Sequence, residues 1–130
     1  MNILLYLLIV FSFLVPLKGE SQSSFFKFIE SNLNRYRQSL SSEDLSFQNG
    51  IIRLELNGRR TNIKSQLLLG YYVVGMALQR SEVDCHEIEV VVKYEMKVAN
   101  QLISRSPVNK VIELSQGRLS SEEFFLQISY

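Results

Sequence analysis

The stretch HEIEVVVKYEMKV, His86–Val98, decides the fold class of this chain. Read as a strand, Ile88, Val90, Val92, Tyr94, Met96 and Val98 alternate with Glu89, Val91, Lys93, Glu95 and Lys97, and only Val91 breaks the alternation. Read as a helix, Ile88, Val91, Val92, Met96, Ala99, Leu102 and Ile103 form one apolar arc, and Val90, Tyr94 and Glu95 fall out of place. Asp84-x-x-Glu87 has the spacing of a capping box and argues for the helix, although it lacks the usual Ser or Thr. The Val-Val-Val run and Tyr94 argue for the strand, because β-branched and aromatic side chains pack well on a pleated surface. The strand reading is adopted. Gln101 to Arg105 then returns as a further strand.

An isolated hairpin is unstable in water, so a partner for these strands is needed upstream. Asn49-Gly50 supplies it: both residues tolerate the positive φ of a two-residue hairpin turn. That turn sets Phe47 opposite Ile52 and Leu45 opposite Leu54, with Leu56 on the same face and Ser46, Arg53 and Glu55 on the other. Asn57-Gly58 closes the second strand.

Helices flank these strands. Phe25, Ile29, Leu33, Tyr36 and Leu40 recur at helical spacing and predict a helix over Ser24–Leu40 with that row inward. Thr61 or Asn62 can cap a second helix that runs to about Arg80. Its stretch Leu67–Leu78 is apolar nearly all round, as in a helix buried on most sides. Gly70, Val74 and Ala77 share a face there, and small residues let another element approach closely. Ser106-Pro107 reads as an N-cap followed by proline in the first helical position, with Gly117 ending that helix. Ser120-x-x-Glu123 opens a last short helix carrying Phe124, Phe125 and Ile128. The expected architecture is α+β, in the order α-ββ-α-ββ-α-α: a small four-stranded antiparallel sheet with helices packed on it. An all-α bundle with a small hairpin is the alternative.

Ahead of this lies an apolar run, Ile3–Leu17, broken only by Tyr6, Ser12 and Pro16 and ended by Lys18. Gly19, Glu20, Ser21 and further serines follow. That is the layout of a signal peptide, 1–21, with a compact domain over 22–130. Cleavage after Ser21 puts Gly19 at the −3 position. The run is shorter than the roughly 20 residues a spanning helix needs, and an uncleaved anchor flanked by Lys18 is the other reading. Membrane contact is expected only through that segment, and the location is secreted or periplasmic. Cys85 is the single cysteine in the chain, which excludes an internal disulfide.

The 130 residues are 46% hydrophobic and 21% charged with a net charge of +1, an ordinary globular balance without a long-range field for nucleic acid. No Gly-rich nucleotide loop, zinc spacing or nucleophile elbow occurs, and no cofactor is expected. Cys85 and His86 are chain neighbours, so their side chains diverge in either a strand or a helix and do not form a catalytic pair. In an extended chain Glu82, Asp84 and His86 share a face, where they could offer ligands to a divalent metal, with Glu87 and Glu89 nearby. The more informative patch is Gly58-Arg59-Arg60-Thr61-Asn62 with Lys64. Two arginines and a lysine at the start of a helix offer charge and free N–H groups to an anion or to an acidic partner. The expected function is therefore a non-catalytic, exported protein-binding domain that uses Arg59, Arg60 and Lys64, with another protein as partner. The alternative is a metal binder or enzyme built on the acidic cluster around His86.

Overall fold

Asn49 and Gly50 adopt φ of 53° and 75°, and the hairpin closes on them with Leu45 opposite Leu54 and Phe47 opposite Ile52. The computed structural model of the chain describes residues 22–94 and 100–130. The expected signal peptide, and the extension of the third strand from Glu95 to Val98, lie outside them. Helix α1 covers 22–35. Strands β1 (Leu45–Gln48) and β2 (Ile51–Gly58) form the hairpin. A 3-10 turn, Arg60–Asn62, leads into α2 (Ile63–Gln79). Strands β3 (Glu87–Tyr94) and β4 (Gln101–Pro107) follow, then α3 (Val108–Ser115) and α4 (Ser121–Gln127).

The element order is as expected, and His86–Tyr94 resolves in favour of the strand. The sheet is not all-antiparallel, however. Its order is β1-β2-β3-β4, and the central pair β2–β3 is parallel, with Ile52 beside Ile88, Leu54 beside Val90 and Leu56 beside Val92. The cause is α2. A hairpin turn reverses the chain, but a helix between neighbouring strands carries it back to the starting edge, so the next strand runs in the same direction. The outer pairs, β1–β2 and β3–β4, remain antiparallel hairpins.

Strand alternation sends Ile52, Leu54, Leu56, Ile88, Val90 and Val92 to one buried face. Helix α2 lies across it. A Cβ on Gly70 would meet Val90 at 2.9 Å and Leu56 at 3.1 Å, so this glycine lets the helix backbone settle onto both strands of the parallel pair. On the far side a Cβ on Gly75 would meet Ser115 and the Val111 carbonyl, each at 2.7 Å, which brings α3 equally close. Between them Tyr71 is fully buried against Phe124, and its hydroxyl reaches Ser104 at 2.7 Å. Ser104 donates its own proton to the Val90 carbonyl, so Tyr71 is the donor to Ser104. Helix α1 docks at the other end of the layer, with Phe25 edge-on to Phe47 and Ile29 and Leu33 without exposure.

Three helix ends differ from expectation. Helix α1 stops at 35, not at Leu40, because Arg37 turns to φ 60°. The Gln38 and Arg37 amides then bond back to the Leu33 and Asn34 carbonyls, a Schellman closure made with arginine where glycine is usual. Asn62 stands at the N-cap of α2 without bonding its amides. Its side-chain oxygen instead accepts from the Arg59 N–H at 2.7 Å. Ser106 and Pro107 belong to β4, and proline serves as the N-cap of α3 rather than its first residue, because ladder pairing with Glu87 and Ile88 holds both extended. Gly117 at φ 77° and the Ser120 cap, which accepts from the Glu123 N–H, fall where the sequence puts them.

The opposite face of the sheet is a lattice of charges. Glu89, on β3, is bonded by Arg53 of β2 at 3.1 Å and by Arg105 of β4 at 3.0 Å. Glu55 takes Lys93 at 2.8 Å and Arg53 at 3.2 Å. Val91, the residue that breaks the alternation, is fully buried on this face between Glu55 and Ile103 in the register. Partial burial acts to raise the Glu55 carboxyl, but its bonds to Lys93 and Arg53 prevail and hold it below its ordinary value. The Lys93 ammonium is raised in turn by Glu55.

Two outcomes are expected. Gly75→Ala forces the α2–α3 backbones apart and lowers stability by about 1–3 kcal/mol, read from the midpoint of urea unfolding. A carboxylate with a lowered folded pKa stabilises above its unfolded value and loses that contribution as pH falls through the folded one. Wild type should therefore exceed Glu55→Gln in stability at about pH 6, and the gap should shrink toward about pH 3.

Candidate functional site

Burial, with Asp84 adding, pushes the Cys85 thiol up to about 11, so it stays protonated near neutral pH. His86 is exposed and acts as a structural splice. Its N–H donates to the Gly50 carbonyl at 2.8 Å, its carbonyl accepts from Val108 at 3.0 Å, and its ring lies where a Cβ on Gly50 would be. The acidic residues around it diverge. Glu82 and Asp84 are exposed in the loop before β3, whereas Glu87 and Glu89 turn to Arg105 at 3.6 and 3.0 Å. Among the described residues no group of three or more His, Cys, Asp or Glu side chains is placed to hold a metal ion.

Arg59, Arg60 and Lys64 fall on two consecutive elements. All three are exposed on the 3-10 turn and the first turn of α2, and neither turn has an acidic residue in its first turn. The Lys64 ammonium sits 5.5 Å from the centre of the Phe125 ring, which ties α4 to the start of α2.

Next to Lys64 in the chain, Ser65 begins a feature that the sequence reading did not single out. Ser65, Leu68, Leu69 and Tyr72 form an i, i+3, i+4, i+7 stripe on α2 that faces an open groove of about 580 Å³. Tyr36, just past the end of α1, makes one wall. Leu114 of α3, with Leu119 and Ser121 at the α3–α4 junction, makes the other. Tyr36 and Tyr72 are 61% and 43% exposed, which is unusual company for the half-buried Leu68 and Leu69. Gln66 also borders the groove, and its side-chain oxygen is buried without a hydrogen-bond partner.

Tyr36 corrects the sequence reading most sharply. Its spacing from Leu33 placed it in the core row, but the Arg37 turn ends the helix first and leaves the ring at the surface. A non-glycine residue at such a φ costs on the order of 1 kcal/mol. The groove wall is therefore held by a backbone conformation that the folded packing must support. Tyr72 was hidden by the all-round apolarity of α2: its neighbours Tyr71 and Val73 are buried, and nothing in the periodicity separates it from them.

The charged chain neighbours of the lining residues are mainly basic. Arg35, Arg37, Lys64 and Arg118 are exposed beside Tyr36, Ser65 and Leu119. On the acidic side stand Glu122 and Glu113, and Glu113 pairs with Lys110 at 3.5 Å. Among the described residues no helix is long and apolar enough to cross a membrane. No protein-family model matches the chain, and comparison with curated proteins and with solved structures finds no significant match.

Proposed function

We propose that this chain is an exported, non-catalytic protein-binding domain, and that the groove beside α2 receives an apolar segment of its partner. One observation carries the reading: a groove of about 580 Å³ is lined by two surface tyrosines and by leucines. Tyrosine gives large, rigid contact area at low entropic cost, and it is enriched where one protein docks on another. The volume alone would also suit a small molecule, but such ligands are mostly enclosed by their sites. This groove is partly open to solvent, which suits a segment that stays attached to a larger body.

The two faces of the domain divide the work. On the sheet face the charged groups are matched to one another across β2, β3 and β4, which leaves little unmet demand for a partner. The helical face carries the apolar opening, and Lys64, the chain neighbour of its lining residue Ser65, follows the exposed cationic turn of Arg59 and Arg60. Export rests on the apolar run ahead of residue 22 and the small residues that end it.

Site-specific photocrosslinking in the native host tests this. A benzophenone side chain at Tyr72 should capture one discrete partner band, and the same group at Ile103 on the sheet face should not. Mass spectrometry of the same sample should find the mature N-terminus near residue 22. Capture from Ile103 alone, or from neither position, contradicts the groove as the binding site. A retained Met1 contradicts export with cleavage.

A further inference from the structure

Resting on the groove reading above, we infer that the partner segment is a short amphipathic helix bearing acidic residues at the end that meets Arg59, Arg60 and Lys64. Shape argues for the helix. The stripe from Ser65 to Tyr72 on α2 covers two turns, about 10 Å of rise, and its walls are a helix end and a helix–helix junction. A helix laid there meets the stripe with its own i, i+3, i+4 and i+7 side chains, as in other helix-in-groove complexes. An added strand would instead need a sheet edge, and the groove borders none.

Charge argues for the acidic end. Ser65 and Gln66, in the first turn of α2, line the groove; the residue before them, Lys64, and Arg59 and Arg60 of the preceding 3-10 turn are exposed, and the first turn of α2 holds no acidic residue. The helix macrodipole adds positive potential at the same place. A basic segment would have to bring like charges together there, which costs affinity and rejects wrong partners. An antiparallel partner helix would add the negative end of its own dipole to the match.

The test uses the full chain as isolated and two fluorescein-labelled synthetic peptides. Both carry leucines at i, i+3, i+4 and i+7; one has glutamates in its terminal turn and the other lysines. By fluorescence anisotropy the glutamate peptide should bind at least about ten-fold tighter, and added salt should narrow that difference. Joint replacement Arg59→Ala, Arg60→Ala and Lys64→Ala should bring the two peptides to one affinity. Tyr72→Glu, and separately Tyr36→Glu, should weaken both; these side chains are exposed, and circular dichroism confirms that the variants fold. Equal affinity of the two peptides for wild type, with sensitivity to Tyr72→Glu retained, overturns the acidic end and leaves the groove standing. Peptide binding that is absent, or indifferent to both tyrosine variants, overturns the groove as well. Binding to phosphatidylglycerol vesicles but to neither peptide overturns the helical partner in favour of a lipid surface.

Discussion

The close seating of α2 is the constraint on which the other elements depend. Gly70 lets its backbone approach Leu56 and Val90, which belong to the two parallel strands, and Gly75 lets α3 approach from the other side. Glycine inside a helix costs roughly 1 kcal/mol relative to alanine, so two of them in one helix signal contacts that a methyl group would prevent. Tyr71 completes the seat. Its hydroxyl is taken up by Ser104, and Ser104 by the Val90 carbonyl, so burial of the polar atoms ties α2 to β3 and β4 without leaving an unmet donor. Burial also keeps the phenol neutral, holding it above its ordinary range.

From that seat the asymmetry of the molecule follows. A helix pressed between a sheet and a second helix cannot be covered on every side. The side of α2 that carries Ser65, Leu68, Leu69 and Tyr72 is the one left facing the groove. On the other face of the sheet, burial of Val91 and Glu89 is compatible with solvent nearby because Arg53, Arg105, Lys93 and Glu55 surround them with matched charge. Most of these pairs are part-exposed and worth little singly. Glu89 is the exception: it is nearly buried, and loss of either arginine would leave its charge short of a partner.

Local chemistry was legible in the sequence, and long-range geometry much less so. The Asn49-Gly50 turn fixed its hairpin register residue by residue, and Gly117 and Ser120 ended and started helices where their backbone preferences require. These features are decided within a few residues. The direction of β3 relative to β2 is decided by the path of α2, and the strand pattern reads the same in either direction. Of the candidate site, Arg59, Arg60 and Lys64 were visible as a basic stretch of sequence, and all three are exposed. The groove was not visible. Tyr36 and Tyr72 sit at positions where periodicity says core; the exposure of Tyr36 comes from the Arg37 turn, and that of Tyr72 is set by tertiary packing around α2 that no local pattern encodes.

The parallel pairing of β2 and β3 beneath α2 is tested most directly by interstrand nuclear Overhauser contacts in the isotope-labelled protein. Contacts linking Ile52 with Ile88 and Leu56 with Val92 are expected. Contacts linking Ile52 with Val92 and Leu56 with Ile88 would mean an antiparallel pair, and would contradict both the seat of α2 and the groove beside it.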